Sequence, residues 1–309
     1  MAQKIAFLFP GQGAQSVGMC KNLYEKSPVF KQTIEEIEDL AYQKIWDVIS
    51  NGPEKELTKT NRCQLALFAV GYATFCAVRF EKPHIVPTYC AGLSLGEYTA
   101  LCAAGVLSLQ ESVNLVMRRA ELMQESCEKY PGKMTAVLGL TLEVISSIIK
   151  EYSDPEALAV ANYNAPQQIV VAGTEQAIDW FEAQAGSKGA RRLVRLEVAG
   201  AFHSPLMRHA REGYKFFAET AKLNFSEVKV ASNVTGEVVE YSEDFRQLMI
   251  DQICSPVAWC PTIQHLEAKG VKLFVEMGPG KILQGLNRRI TQSSRTLSIE
   301  SIEDFAALI

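Results

Sequence analysis

A serine with a glycine two residues to either side, Gly92-Leu93-Ser94-Leu95-Gly96-Glu97, is the segment of this chain best suited to covalent chemistry. Glycines at those positions let backbone pack closely around a tight strand-to-helix turn, and the serine at its apex then points its hydroxyl out of the sheet. Upstream, residues 85–91 are short, apolar and β-leaning; downstream, residues 97–104 permit a helix that stops at Gly105. The bare pattern also occurs in ordinary loops, so it is the flanks that make it a nucleophile elbow. A nucleophilic serine needs a base. His84 beside Pro83 and His265 in a polar helical stretch read as surface residues, and His209 lies inside a helix. His203 stands between a strand and a helix, where loops carry function, and is the candidate base. A triad would place a carboxylate between the two in the chain. Asp154 and Asp179 both fall in what reads as an inserted unit, so the expectation is a Ser94–His203 dyad whose imidazole is oriented by something other than a carboxylate.

Strands alternate with helices along the chain, which implies a mainly parallel sheet covered on both faces. The first strand, residues 5–9, ends in Pro10-Gly11-Gln12-Gly13-Ala14-Gln15, at the carboxyl end of a strand, where open α/β sheets put their ligands. This turn lacks the Lys-Ser/Thr of a phosphate loop and the third glycine of a dinucleotide fingerprint. A plain tight turn is its other reading. Helical patterns follow over residues 28–49, 64–80 and 109–128. The last carries Val113, Val116, Met117 and Ala120 on one face, with Arg118 and Arg119 in its middle. Adjacent helix positions point about 100° apart, so at most one of the two arginines faces inward. An arginine in such a helix ordinarily snorkels to the surface. From about Lys133 the order becomes strand 134–138, helix 142–152, strands 158–161 and 168–172, helix 177–184 and strand 193–198, the βαββαβ of a ferredoxin-like unit. The larger architecture resumes with a strand at 228–231, a helix at 245–254 and a strand at 272–275 running into Gly278-Pro279-Gly280. A small domain over 131–198, set into a large α/β domain formed by 1–130 and 199–309, predicts a ligand cleft between them.

With 309 residues, 48% of them hydrophobic, the chain can bury a large core. Its first ten residues are apolar for too short a run to be a signal peptide and no later run reads as a membrane span, which predicts a cytoplasmic protein, or an organellar one after removal of a transit peptide. Eight cysteines without a C-x-x-C pair or a histidine at metal spacing read as reduced core residues, with no metal and no cofactor expected. A net charge of −4 argues against nucleic acid as a partner.

Taken together, Gly11-Gln12-Gly13-Ala14-Gln15, Gly92-Leu93-Ser94-Leu95-Gly96-Glu97-Tyr98, Arg119 with Met123-Gln124, Asn162-Tyr163-Asn164, Gly200-Ala201-Phe202-His203-Ser204, Gln252 before Ser255-Pro256-Val257, and Glu276-Met277-Gly278-Pro279-Gly280 resemble the malonyl-CoA:acyl carrier protein transacylases, in order and over nearly the whole chain. The resemblance implies an α/β-hydrolase-like large domain with a ferredoxin-like insert, and a ping-pong transfer of malonyl from malonyl-CoA to holo acyl carrier protein in fatty acid synthesis, away from membranes. By position, it makes Ser94 the nucleophile, His203 its base and Gln252 the residue that orients the imidazole through its carbonyl. It likewise makes the N–H groups of Gln12 and Leu95 the oxyanion hole and Arg119 the receiver of the malonyl carboxylate. Guanidinium matches carboxylate bidentately, which fits that last role.

Asn162 and Asn164 match family positions facing the cleft, and Phe202 matches a position where, in related domains, a phenylalanine accompanies malonyl selectivity and a small residue accompanies α-methyl substrates. The commonest family pattern has His where this chain has Leu93, which puts in doubt only the polar contact that histidine makes. Carrier proteins are acidic, so Lys188, Arg191 and Arg192 on the insert with Arg208, Arg211 and Lys215 after His203 are read as a cationic rim; scattered surface charge is the alternative. The rival functions are a thioesterase or esterase using the same Ser94–His203 pair with water, a trans-acting polyketide acyltransferase, and a non-catalytic docking subunit.

Overall fold

The computed structural model describes residues 3–308; residues 1, 2 and 309, at the outer ends of the expected large domain, lie outside the described residues. Strand β1 (Lys4–Phe9) is buried at every position after Lys4, as a central strand flanked by helices on both faces must be. It pairs with β2 (Tyr89–Gly92) on one side and β8 (Val271–Met277) on the other. With β7 (Lys229–Val230) and β9 (Arg295–Ile299) at the edges, the result is a five-stranded, all-parallel sheet in the order β7-β2-β1-β8-β9. Four further strands, β3 (Lys133–Leu138), β4 (Leu158–Ala165), β5 (Gln168–Gly173) and β6 (Arg192–Arg195), form an antiparallel sheet in the order β4-β5-β3-β6. Helices Leu142–Lys150 and Glu175–Ser187 intervene to give βαββαβ, and this layer has its own core of Val137, Ile145, Ile148, Ile169, Val171 and Phe181. Strand β4 also pairs with Val257, in the connection between helices Phe245–Gln252 and Trp259–Ala268: the Val257 N–H donates to the Ala161 carbonyl at 2.8 Å and its carbonyl accepts from Tyr163 N–H at 2.9 Å.

Several sequence expectations are corrected in detail. The helix read over 28–49 is two helices, Pro28–Ala41 and Trp46–Asn51, because Tyr42 turns left-handed (φ 51°) and the buried carboxylate of Glu38 takes the Trp46 N–H at 2.8 Å. The strand read over 85–91 starts only at Tyr89, after Pro87, which has no N–H to give a ladder. Strand β9 had no reading in the sequence. One helix, Thr60–Glu81, does meet the length and hydropathy of a membrane span, contrary to expectation, but 72% of that stretch is packed inside the protein. It is the central core helix, apolar nearly all round. Glu276, in the last of the family-like motifs, is buried and accepts the N–H groups of Leu283 (2.8 Å) and Gln284 (3.0 Å), so it caps the helix Ile282–Ile290.

Pairing of Phe9 with Gly92 sets the end of β1, and the turn that follows it, beside the serine. The glycines are there for space. A Cβ on Gly92 would lie 1.9 Å from the carbonyl carbon of Gly96, one on Gly96 would lie 2.0 Å from the Phe9 oxygen, and one on Gly11 2.3 Å from the Leu93 oxygen. All three obstacles are backbone, which cannot swing aside. Gly92→Ala or Gly96→Ala is therefore expected to destabilise the fold by about 3 kcal/mol or more, whereas Gly186→Ala, in a helix where a Cβ meets nothing within 4 Å, should stabilise it by about 0.5–1 kcal/mol. Urea unfolding of the three variants checks both signs; an unchanged midpoint for Gly96→Ala would refute the steric account.

Candidate active site

Ser94 sits at the apex of the turn with φ 54°, a left-handed conformation that costs a non-glycine residue about 1–3 kcal/mol. Hydrogen bonds hold it there. Its N–H donates to Asn233 Oδ1 at 2.7 Å, and Asn233 Nδ2 donates to the Gly92 carbonyl at 2.6 Å, so one buried asparagine grips both the strand end and the serine. Helix Gly96–Ala103 starts directly after.

His203 is likewise left-handed (φ 58°) and 3% exposed. Its Nε2 lies 2.7 Å from Ser94 Oγ and its Nδ1 2.8 Å from the backbone carbonyl of Gln252. A carbonyl only accepts, so the proton resides on Nδ1 and Nε2 is left to accept from the hydroxyl. Burial, and next the charge of Arg119, lower its pKa from the ordinary imidazole value to about 4, against the opposing hydrogen bonds of Gln252 and Ser255. At neutral pH the ring is uncharged and able to take a proton. Asp179 pairs with Arg195 and Asp154 accepts the Glu156 N–H, so neither orients the ring.

Arg119 is fully buried, and the snorkelling reading is overturned for it; Arg118 is the exposed one, paired with Glu121 at 2.8 Å. Its Nη1 donates to Gln64 Oε1 (2.6 Å), and its Nη2 to Gln252 Oε1 (3.0 Å) and Ser94 Oγ (3.0 Å), while the guanidinium lies 5.4 Å from the centre of the Tyr98 ring. Among the described residues no carboxylate lies within ion-pair distance, and Nε has no acceptor. Hydrogen bonds to a charged group are worth about 1.5–3 kcal/mol each, which offsets the cost of burial without neutralising the charge. The cation is held ready beside the serine for an anion that the protein does not itself supply.

Gln12 sits in the turn after β1, its Oε1 taking Gln64 Nε2 at 3.4 Å. Neither its N–H nor that of Leu95 has a protein acceptor among the described residues, so both are free donors. Phe202 is buried beside His203. Asn162 and Asn164 lie on β4, and no side-chain hydrogen bond connects either with Ser94, His203 or Arg119; Asn164 Oδ1 is buried without a partner. All eight cysteines are free thiols. Half of the expected cationic rim is charge-paired: Arg208 with Glu156, Arg211 with Asp251 and Glu212, and Lys215 with Glu219. A surface cavity of about 760 Å³ between Glu219, Glu240, Tyr241 and Arg246 contains none of these site residues.

Three site residues had no role in the sequence reading. Gln64 is a buried amide near the start of helix Thr60–Glu81, Asn233 lies in a polar turn after β7, and Glu97 is fully buried just after the elbow.

A parallel sheet carrying a strained serine, a neutral histidine and two free backbone donors, with a second layer above, is the architecture of acyl transferases. Residues 6–303 match the family described as acyl transferase domain. The chain is 38% identical over 301 residues (97% of this chain, 94% of the other) to the malonyl CoA-acyl carrier protein transacylase of Bacillus subtilis. It is 34% identical over 306 residues (99% and 98%) to that of Haemophilus influenzae. Among solved structures it superposes on the transacylase of Xanthomonas oryzae with a TM-score of 0.94 at 35% identity (100% and 98% covered). It superposes on a malonyl-transacylase in complex with its type II PKS acyl-carrier protein with a TM-score of 0.95 at 32% identity (99% and 98% covered). The chain belongs to the malonyl CoA-acyl carrier protein transacylase family.

The lowered pKa of His203 makes an acid-stability prediction. Since the unfolded chain takes up this proton at about 6.5 and the folded protein only at about 4, stability contributed by this group is lost as pH falls between those values. His203→Gln lacks the effect. Between pH 7 and pH 4 its stability relative to wild type should rise by about 3 kcal/mol in urea unfolding, and a constant difference would show that His203 titrates normally.

Proposed function

We infer that this chain transfers malonyl from malonyl-CoA to the phosphopantetheine thiol of acyl carrier protein through a malonyl-Ser94 intermediate, supplying fatty acid synthesis. The observation that carries the reading is the buried guanidinium of Arg119, 3.0 Å from Ser94 Oγ and without a carboxylate partner among the described residues. A malonyl group has a thioester carbonyl at one end and a carboxylate at the other. With the carboxylate forked on Arg119, the carbonyl lies at Ser94.

His203 Nε2 takes the hydroxyl proton as Ser94 Oγ bonds to the carbonyl carbon. Negative charge then collects on the carbonyl oxygen, facing the Gln12 and Leu95 N–H groups; in comparable sites one such donor is worth about 3 kcal/mol. Collapse breaks the C–S bond, and His203 returns its proton to the departing CoA sulfur. The carrier thiol repeats these steps in reverse. A thiol pKa near 8.5 makes the thiolate a good leaving group, so a carbonyl behind His203 suffices where amide cleavage would call for a carboxylate. The absence of a strongly driven base also spares the malonyl-serine from water.

The relatives named for malonyl CoA and acyl carrier protein, and the one solved with its carrier, support both substrates. Lys188, Arg191 and Arg192, without carboxylate partners among the described residues, are the better part of the rim for an acidic carrier. We place the reaction in the cytoplasm, as suits eight cysteines present as thiols. We also assign residues 131–198 as the inserted subdomain, supported by the separate core of that layer. Hydrolysis by the same dyad, as in a thioesterase or esterase, is the rival, and Arg119 would then be incidental.

Labelled malonyl-CoA, with and without holo carrier, separates these readings. Wild type should accumulate malonyl-Ser94 when the carrier is left out and pass the label on when it is added, and Arg119→Ala should lose transfer by at least about 100-fold, the scale of a lost charged contact. Free malonate released regardless of carrier would make the protein a hydrolase. Phe202→Ser should raise the relative rate with methylmalonyl-CoA by roughly 10-fold or more, since a ring against the α-carbon excludes a methyl worth about 1–3 kcal/mol; an unchanged ratio would remove Phe202 from specificity.

A further inference from the structure

Glu97 belongs to the elbow motif yet takes no part in the steps above. Its carboxylate is fully buried and both of its oxygens meet donors. Oε1 accepts the Asn233 N–H at 2.7 Å, and Oε2 accepts from Gln252 Nε2 in a short hydrogen bond. Each partner in turn grips the site. Asn233 holds the Ser94 N–H and the Gly92 carbonyl. Gln252 holds the Ser94 carbonyl with Nε2 (3.1 Å), Arg119 with Oε1 and the His203 ring with its backbone carbonyl.

The direction of these bonds is what matters. A side-chain amide has one donor end and one acceptor end. Acceptors at Glu97 and at the Ser94 carbonyl turn Nε2 of Gln252 toward them, the carboxylate in the shorter bond, and Oε1 then faces Arg119; the flipped amide would set Nε2 against Nη2, donor against donor. We propose that Glu97 is a positioning residue for acyl transfer, which as a carboxylate fixes the amide direction of Gln252 and thereby the guanidinium that receives the substrate carboxylate and the segment that orients His203. The inference rests on the acyl-transfer reading.

Protonation undoes the arrangement. With a donor against each oxygen, a proton on either one sets O–H against N–H and releases one grip. Burial raises Glu97 from the ordinary carboxylate value to about 7, against the lowering by Asn233, Gln252 and Arg119. The other charged or titratable groups packed around the site are Arg119 and His203, Tyr98 on Glu97's own helix, and Tyr214 behind Tyr98 on helix Arg208–Thr220. Near neutral pH Glu97 alone among them changes charge: burial holds His203 down at about 4, Tyr98 up at about 12 and Tyr214 well above the usual phenol value.

The test is the pH dependence of Ser94 acylation by malonyl-CoA in wild type, Glu97→Gln, Gln252→Met and the double variant, with folding checked by thermal unfolding. Wild-type kcat/KM should fall below about pH 7. Glu97→Gln offers one oxygen to two donors, so it should lose about 100-fold at high pH, and its acidic limb should move down toward that of His203. Gln252→Met keeps the backbone carbonyl but cuts the link, so its limb should move down as well, and the double variant should lose no more than the worse single one. A limb that stays near 7 in either folded variant, or losses that multiply in the double, would overturn the proposal. Should Glu97→Gln not fold, Gln252→Met still decides, as does a wild-type limb found near 4 rather than 7. Wild type that never acylates Ser94 would instead defeat the acyl-transfer reading, and this inference with it.

Discussion

Everything at the site hangs on how closely the end of β1 approaches the start of helix Gly96–Ala103. The Phe9 carbonyl lies where a side chain of residue 96 would begin, and the Gly96 carbonyl where one of residue 92 would. That packing squeezes the connecting residue into a left-handed turn with Ser94 at its apex. No strong side-chain interaction is involved. It is a steric constraint, satisfied only by glycine, and the strain at Ser94 is offset by the clamp of Asn233 on its N–H.

Around this turn the charges are few and deliberately uneven. A buried cation at Arg119 is held by two amide oxygens and a hydroxyl, a buried carboxylate at Glu97 by a backbone N–H and an amide, and Gln252 stands between them. Had Glu97 touched Arg119 directly, the ion pair would have been self-satisfied and a dicarboxylic acyl group would have gained little by binding. An intervening amide lets the two charges see each other while leaving the guanidinium short of an anion. The same cation helps to keep His203 neutral, so the charge proposed to receive the substrate also bears on the base.

The polar relay also explains how the inserted layer matters to residues it does not supply. Val257 bonds to β4, and the helix Phe245–Gln252 ends a few residues earlier, so the segment that follows Gln252 is held on that strand. The four-stranded layer thus bears on the segment under the histidine through backbone bonds rather than through side chains of its own.

Much of this was legible in the chain. The alternation of strands and helices, the βαββαβ order and the elbow follow from period, turn residues and glycine spacing, which act over a few neighbours at a time. Ser94 was readable from its flanks and His203 by elimination among four histidines. Arg119 was not readable from physics: in a helix with two adjacent arginines, sequence says only that one faces in, and family resemblance chose between them. Gln64, Asn233 and the work of Glu97 were not readable at all, because each acts through a hydrogen bond to a residue 55 to 139 positions away. The break at Tyr42 escaped although its cause is nearby: Glu38 enforces it with a carboxylate folded back on the Trp46 N–H, a side-chain bond that helical periodicity does not report. Local sequence therefore determined the elements and the apex serine, because steric preferences are short-ranged. Only the tertiary structure decided that Arg119 is buried without a carboxylate partner among the described residues and that Gln64, Asn233 and Glu97 grip the site, because those are outcomes of desolvation and of partners that chain order does not reveal.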